Sequence, residues 1–170
     1  LDAEKSLEEF KSEYHSKRAK AKPRIQVYEG QKELQQMMKD MLLYRDMTVY
    51  VFWPPEKAIK LLSADFFSEF HKQRVARNID IKVLWPAGEV PSLKKYLFLE
   101  TSSKLKRQVK IVPSDFNFTF GYAIYGSTVR FISLEKDYFG FIVEKDSLAE
   151  MMKAQFQVLW QSAEPFSLKK

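Results

Sequence analysis

Few side chains in this 170-residue chain are suited to catalysis or to metal binding. The chain has two histidines, His15 and His71, and no cysteine, which excludes disulfides, thiolate–metal sites and a cysteine nucleophile. Neither a second histidine nor a well-spaced acid pair accompanies His71, so we expect a structural or surface role for it. The sequence also lacks phosphate-binding glycine loops and a nucleophile elbow. We therefore expect no enzymatic activity, no metal and no cofactor.

In the tract FTFGYAIYG, three of the four aromatic residues lie at relative positions 0, 2 and 7, and these are Phe118, Phe120 and Tyr125. The tract has the composition of a β-strand, and Gly126-Ser127 supplies a two-residue hairpin turn after it. Two interpretations stay open for the three rings. They pack in an apolar core, or they occupy the positions of a former catalytic strand.

Apolar periodicity predicts the elements that position these residues. Segments starting at Arg24, Met47, Asp80 and Gln108 are typical of strands, and helices are predicted between them. Pro54-Pro55 is interpreted as the end of the second strand, followed by a helix from Ser63 to Asn78 and a short helix around Leu93 to Leu99. Three hairpin-linked strands and a last helix complete the order. Early strand–helix alternation followed by hairpins predicts a mixed sheet with helices on both faces.

The N-terminal segment differs from the rest in pattern and in charge. An apolar stripe at heptad spacing predicts a linker or dimerisation helix over residues 1–22, and a surface helix packed on its own domain is the alternative. Five basic residues lie between His15 and Arg24, and without them the net charge of +6 falls to +1. The globular body is therefore not expected to form a nucleic-acid groove. The stripe residues are Ala3, Leu7, Phe10 and Tyr14, and the candidate phosphate contacts are Lys17, Arg18, Lys20, Lys22 and Arg24.

The order of elements resembles the phospholipase D-like fold, whose active members carry H-x-K-x-x-x-x-D on one strand and G-S-x-N on the next. Laid on this chain, the histidine, lysine and aspartate positions hold Phe118, Phe120 and Tyr125. The serine position keeps Ser133, whereas the asparagine position holds Glu135. Since phenyl rings can neither attack phosphorus nor bind phosphoryl oxygens, the resemblance implies a non-catalytic relative.

Residues from about Arg24 to Trp160 are similar to the regulatory half of TrmB-like transcriptional regulators. The segments RIQVYEGQKELQQMMKDML, FFSEFHKQRVARNIDIKVLWP, FGYAIYGSTVRFIS and YFGFIVEKDSLAEMMKAQFQVLW carry this resemblance. It implies an N-terminal winged helix-turn-helix outside this chain, which is thus expected to be a fragment. The expected domains are the linker helix over 1–22, a phospholipase D-like regulatory domain over 24–163, and a tail over 164–170.

A ligand on an open α/β sheet is expected beyond the carboxyl ends of the parallel strands. In this fold that region would hold an aromatic pocket suited to an apolar or cationic molecule, although the same rings could simply plug the end of the sheet. The candidate pocket residues are Tyr28, Glu29, Trp53, Trp85, Phe118, Phe120, Tyr125 and Ser133.

The sequence thus predicts an effector-sensing or dimerisation domain of a DNA-binding transcriptional regulator. We expect a homodimer in the cytoplasm with no membrane attachment, which binds DNA through its N-terminal domain and takes a small-molecule effector. Two alternatives are a stand-alone non-catalytic interaction module and an atypical phosphodiesterase.

Overall fold

The computed structural model describes residues 22–113 and 119–166, which form one mixed sheet with helices on both faces. Eight strands are present in the described chain: β1 (Arg24–Glu29), β2 (Met47–Phe52), β3 (Ile79–Pro86), β4 (Arg107–Val112), β5 (Phe120–Tyr125), β6 (Thr128–Ser133), β7 (Phe139–Glu144) and β8 (Glu164–Pro165). The α-helices are α1 (Gly30–Lys39), α2 (Pro55–Leu62), α3 (Ala64–Ala76) and α4 (Asp146–Ser162). Short 3-10 turns span Asp40–Leu43, Ala87–Glu89 and Leu97–Leu99.

The strands follow the order β1-β7-β6-β5-β2-β3-β4-β8 across the sheet. β2, β3 and β4 are parallel neighbours, whereas every other pairing is antiparallel. Helices α2 and α3 join β2 to β3, and a long segment with two 3-10 turns joins β3 to β4, because a parallel connection must return to the same end of the sheet. The predicted fold class is confirmed.

Each face of the sheet has its own core. Helices α1, α2 and α3 cover one face, where Leu34, Met37 and Phe67 pack against Val51 and Val83. We call this the three-helix face. Helix α4 covers the other, where Phe156 packs against Phe52, Leu84 and Val129. Side chains alternate between these two cores along each strand, as the two-residue period of a strand requires.

The hairpin between β5 and β6 has the predicted two-residue turn. Tyr125 pairs with Thr128, and Gly126 and Ser127 connect them. Gly126 has a φ of 54°, in the left-handed region where glycine carries no steric penalty. This turn fixes the register between β5 and β6. These are the two consecutive strands on which the resemblance to the phospholipase D-like fold lays the two motifs.

Some segments differ from the sequence-based expectation. Pro54-Pro55 ends β2 as expected, but Pro55 also begins α2, because the first position of a helix needs no backbone N–H donor. The helix expected around Leu93 to Leu99 is only the 3-10 turn Leu97–Leu99. The sheet also continues past residue 163, since β8 pairs with β4 and Phe166 contacts the ring of Trp85 at 5.4 Å between centroids.

Candidate functional site

A small buried cavity lies between the three-helix face of the sheet and the helices that cover it. Its free volume is about 30 Å³, and its walls are mostly apolar. The cavity is lined by two of the predicted pocket residues, Trp53 and Trp85, and by four polar side chains from α3, β4 and β6. These polar residues are His71, Arg74, Arg107 and Arg130.

Helix α3 directs two of the four polar residues into the core. Phe67, Phe70, His71 and Arg74 lie at positions i, i+3, i+4 and i+7, which form one face of a helix, and all four are buried. The imidazole of His71 lies 5.9 Å from the rings of both Phe67 and Phe98, measured between centroids. Aromatic packing therefore holds His71 in place and keeps water from it.

The guanidinium of Arg74 binds the ends of two strands. It donates to the backbone carbonyls of Ile79, Leu105 and Lys106, and its Nε donates to Nδ1 of His71 at 3.3 Å. Ile79 begins β3, while Leu105 and Lys106 precede β4. Arg74 thereby joins α3 to the start of both strands.

Arg107 is the second cation against His71. Its Nη2 lies 3.2 Å from Nδ1 and 3.0 Å from Nε2 of the imidazole, and its Nη1 donates to the carbonyl of Phe98. His71 thus lies between two guanidinium groups, and its neutral ring accepts from both through Nδ1. An imidazolium could not do so, because protonation converts both ring nitrogens into donors.

Burial decides the ionisation of this cluster. Desolvation, followed by the charges of Arg107 and Arg74, holds the pKa of His71 well below its usual value of 6.5. Desolvation also lowers the pKa of Arg74 to about 10 and that of Arg107 to about 9. At neutral pH the histidine is therefore neutral and both arginines are charged.

The third arginine reaches the same cavity from β6. Arg130 donates from Nη1 to the carbonyl of Met38 at 3.1 Å, and its guanidinium carbon lies 5.8 Å from the ring centroid of Tyr125. Tyr125 in turn donates its hydroxyl proton to Asp40 at 2.9 Å. Burial raises the pKa of Tyr125, so the hydroxyl stays protonated and acts as a donor.

The eight residues predicted for an aromatic pocket do not lie in one place. Trp53 and Trp85 line the cavity, whereas Phe120 faces α4 and contacts Phe139 and Phe141 at the start of β5. Tyr125 lies at the other end of β5, on the three-helix face. Because Tyr125 lies five positions after Phe120, an odd offset, a strand directs the two side chains to opposite faces. The expectation that Phe120 and Tyr125 border one region is therefore wrong.

The remaining pocket candidates are further apart. Ser133 is buried and pairs with Phe120 across β5 and β6. Tyr28 and Glu29 lie on the edge strand β1, four strand spacings from β2, or roughly 19 Å from Trp53 across the sheet. Phe118 lies outside the described residues. Of the pocket candidates in the described chain, only Trp53 and Trp85 line the cavity that holds the polar cluster.

Two of the five candidate phosphate contacts belong to the described part of the chain. Lys22 and Arg24 are exposed, and they line a surface groove together with Glu144 and Asp146. The acidic neighbours reduce the positive potential that these two residues present to a phosphate. Lys17, Arg18 and Lys20 lie outside the described residues, as do the dimerisation-helix candidates Ala3, Leu7, Phe10 and Tyr14.

The polar cluster contains residues that the sequence analysis did not single out. Arg74, Arg107 and Arg130 were not considered, and His71 was expected at a structural or surface position. One signal was available, because Arg74 follows Phe67 and Phe70 on the helical apolar stripe. No comparable signal predicts that Arg107 of β4 and Arg130 of β6 line the same cavity as α3, since those segments are distant in sequence.

Residues 22–113 and 119–166 contain no group of three or more histidine, cysteine, aspartate or glutamate side chains arranged to hold a metal ion. None of their helices is long and apolar enough to cross a bilayer.

Comparison with known proteins rests on the fold. The sequence matches no model of a protein family, and it matches no curated protein. The structure is similar to that of TrmBL2, an archaeal chromatin protein that binds DNA, with a TM-score of 0.61 and 16% identity. The likeness covers 96% of this chain and 66% of TrmBL2, so this chain spans just under two thirds of that protein.

Two further structures are also similar, and one of them, Nuc, is a member of the phospholipase D family. Nuc from Salmonella typhimurium aligns with a TM-score of 0.59 and 13% identity, over 86% of this chain and 100% of Nuc. NucT from Helicobacter pylori aligns with a TM-score of 0.56 and 12% identity, over 85% of this chain and 100% of NucT. The chain therefore has the phospholipase D-like fold that the sequence resemblance implied, and TrmBL2 shares it.

The comparison contradicts the prediction that the protein is not an enzyme. Nuc is a member of the phospholipase D family, which is named for an enzyme, and this chain matches the whole of Nuc and the whole of NucT. The prediction relied on the phenyl rings at the motif positions. Loss of one set of side chains excludes one arrangement of nucleophile and donors, but it does not exclude activity on a fold that supports enzymes.

Proposed function

We propose that this chain is the regulatory domain of a DNA-binding transcriptional regulator. The observation that carries the proposal is the likeness to TrmBL2 over 96% of this chain. A third of TrmBL2 has no counterpart here, and we infer that a winged helix-turn-helix outside these 170 residues makes the main DNA contacts. The proposal keeps the predicted cytoplasmic location, because a regulator acts where the DNA is.

The charge distribution supports a regulatory domain whose main DNA contacts are made by another module. Basic residues are concentrated between His15 and Arg24, and the rest of the chain is nearly neutral. A nearly neutral body offers few phosphate contacts, so the domain would serve to bring two DNA-binding modules together and to respond to an effector. In this proposal the N-terminal stripe residues form the homodimer contact.

The effector site is proposed around Trp53 and Trp85. Both rings lie at the carboxyl ends of parallel strands, and Trp53 packs edge-on against Phe67 of α3 at 5.4 Å between centroids. The cavity that they line measures about 30 Å³, whereas pockets for organic ligands begin at roughly 300 Å³. An organic effector would therefore have to move α2 or α3 away from the sheet.

DNA binding by the 170-residue chain tests the proposal. We expect a Kd on the order of 10⁻⁵ M near physiological salt, with no sequence preference. If all five basic residues contact phosphates, the slope of log K against log salt is about −4.5. Fluorescence anisotropy on labelled duplexes of different sequence, from about 50 to about 200 mM salt, measures both quantities.

A matched pair of variants locates the contact. Replacing Lys17, Arg18, Lys20, Lys22 and Arg24 by glutamine is expected to abolish most of the salt dependence. Replacing five lysines of the body by glutamine (Lys57, Lys60, Lys72, Lys104 and Lys136) removes the same charge and is expected to leave it nearly unchanged. Sequence-specific nanomolar binding by this chain alone would contradict the proposal.

Phosphodiester hydrolysis is a second candidate function. The observation that favours it is that the fold covers the whole of Nuc and NucT. Turnover of a generic phosphodiester that disappears in His71→Gln would support it, since the sequence has only one other histidine, His15. The absence of turnover, or turnover that both His71→Gln and His15→Gln retain, would exclude a histidine-dependent reaction.

A further inference from the structure

The buried cavity on the three-helix face contains an unbalanced charge. Arg74, Arg107 and Arg130 are 0%, 4% and 3% exposed, and all three line the cavity. Among the described residues, none of the three forms an ion pair with a carboxylate. Buried cations are ordinarily paired with an anion, because an isolated charge is strongly destabilised in a medium of low dielectric constant.

The partners of the three guanidinium groups are neutral. Backbone carbonyls accept from all three, and Nδ1 of His71 accepts from Arg74 and Arg107. These acceptors satisfy N–H donors, but they carry no net charge. Hydrogen bonding therefore leaves the net positive charge of the cluster in place.

The nearest acids serve other groups. Asp80 favours the charged form of Arg74, but its side chain is half exposed and lies 4.0 Å from Lys106. Asp40 favours the charged form of Arg130 and accepts the hydroxyl of Tyr125. Arg107 has no such acid, because the one charge that acts on it is the repulsive charge of Arg74. The positive potential is thus greatest where Arg107 meets His71.

The dimensions of the cavity restrict what could balance this charge. The space open to the centre of a water-sized sphere is about 30 Å³, and one water molecule needs roughly 10–15 Å³ by the same measure. An ion of one atom therefore fits this space, whereas an anion as large as gluconate does not. The surrounding apolar walls, formed by residues such as Trp85 and Leu99, suit a weakly hydrated ion better than a strongly hydrated one.

We propose that the cavity between α3 and the sheet binds a single halide-sized monoanion, with chloride as the natural candidate, held by Arg107 together with Arg74. The ion would link α3 to β4 by charge, in addition to the hydrogen bonds already described. This inference does not depend on the regulator proposal, because it rests on the charge and volume of the cavity alone.

Chloride dependence of stability tests the proposal on the 170-residue chain. Sodium chloride is exchanged for sodium gluconate at constant ionic strength, and unfolding is followed by urea titration. Gluconate is too large for the cavity, so we expect the unfolding constant to fall about tenfold for each tenfold rise in chloride above its Kd. An unfolding constant that is the same in both salts would overturn the proposal.

Two variants distinguish chloride binding in the cavity from chloride binding at the protein surface. Arg107→Met removes the charge at the proposed site and is expected to abolish the chloride dependence. Arg77→Met removes an exposed arginine just after α3 and is expected to retain it. A chloride dependence that persists in Arg107→Met would mean that chloride acts elsewhere, and the proposal would be wrong.

A direct measurement covers the case in which Arg107→Met fails to fold. Crystals of the unmodified chain grown in bromide are expected to give one anomalous peak inside the cavity, within contact distance of Arg107. Bromide peaks confined to the protein surface would overturn the proposal whatever the variants do.

Discussion

At the scale of single residues, Arg74 is the side chain with the most connections in the described chain. Its guanidinium donates to three carbonyls that belong to the starts of two strands and also to His71. A fork of five N–H donors is needed for these contacts, and lysine has only a single ammonium group to offer. The position therefore depends on the shape of arginine as much as on its charge.

We predict that Arg74→Met and Arg74→Lys both lower the free energy of unfolding by about 3 kcal/mol, because buried carbonyls lose their donors in both. Urea denaturation followed by circular dichroism measures the change. Arg77→Met, one turn further along and exposed, is expected to stay within about 0.5 kcal/mol of the unmodified chain. An Arg74→Lys variant as stable as the unmodified chain would show that charge alone is required.

His71 should make the stability depend on pH. Its pKa in the folded protein lies well below 6.5, so the unfolded chain binds a proton in a range where the folded chain does not. Stability from this group is complete above pH 6.5 and is lost as the pH falls. We predict a loss of about 1.4 kcal/mol per pH unit below that value, measured by urea titration between about pH 7.5 and about pH 5.5.

Variants identify the titrating group. His71→Gln keeps a side-chain acceptor for the arginines but cannot be protonated, so its stability should be flatter over this range than that of the unmodified chain. His15→Gln removes the other histidine and should retain the slope. If the slope disappears in His15→Gln instead, the assignment to His71 is wrong.

At the scale of elements, close contact between α1 and β7 depends on a residue without a side chain. A Cβ built on Gly140 would lie 2.6 Å from Cε of Met37 and 2.7 Å from the carbonyl oxygen of Phe131. The first contact is with a flexible side chain, but the second is with the backbone of β6. The spacing of helix, β7 and β6 therefore requires glycine here.

We predict that Gly140→Ala lowers the free energy of unfolding by about 1 to 3 kcal/mol, because a methyl group must be inserted into a packed core. Thermal and urea unfolding measure this. Adding Met37→Ala to Gly140→Ala should restore part of the loss, relative to Met37→Ala alone, since only the contact with Phe131 remains. A double variant with no such recovery would place the strain entirely in the strands.

At the scale of the whole molecule, the proposed assembly requires two copies of the chain. The N-terminal stripe residues lie outside the described residues, so the dimer remains a prediction from the heptad spacing. Residues of the described domain form a core on each face of the sheet. Association and folding should therefore be separable.

We predict that the 170-residue chain is a dimer in sedimentation equilibrium and that Leu7→Asp with Phe10→Asp makes it monomeric, because the charges would enter an apolar seam. The urea midpoint of the described domain should change little. Glu9→Lys, at a polar position of the same segment, should remain dimeric. An unmodified chain that is monomeric at high micromolar concentration would contradict the dimer.

The sequence by itself determined the local elements of this protein. Apolar strands ending in Trp53 and Trp85, the turn at Gly126-Ser127 and the apolar face of the last helix follow from patterns within short segments, where neighbouring residues decide the outcome. The opposite facing of Phe120 and Tyr125 was also available, since it follows from the two-residue period of a strand. The helix at Pro55 was missed because proline both ends strands and starts helices.

Only the tertiary structure decided which segments meet. It placed β1 beside β7 at the edge of the sheet, which separates Tyr28 and Glu29 from the tryptophans. It also brought Arg107 beside His71 and Arg74, and Arg130 to the wall of the same cavity. Contacts between residues this far apart in the chain depend on strand order and on the packing of a helix across the sheet. No local pattern of spacing or charge encodes that information, and the cavity with its three cations exists only because the fold closes around it.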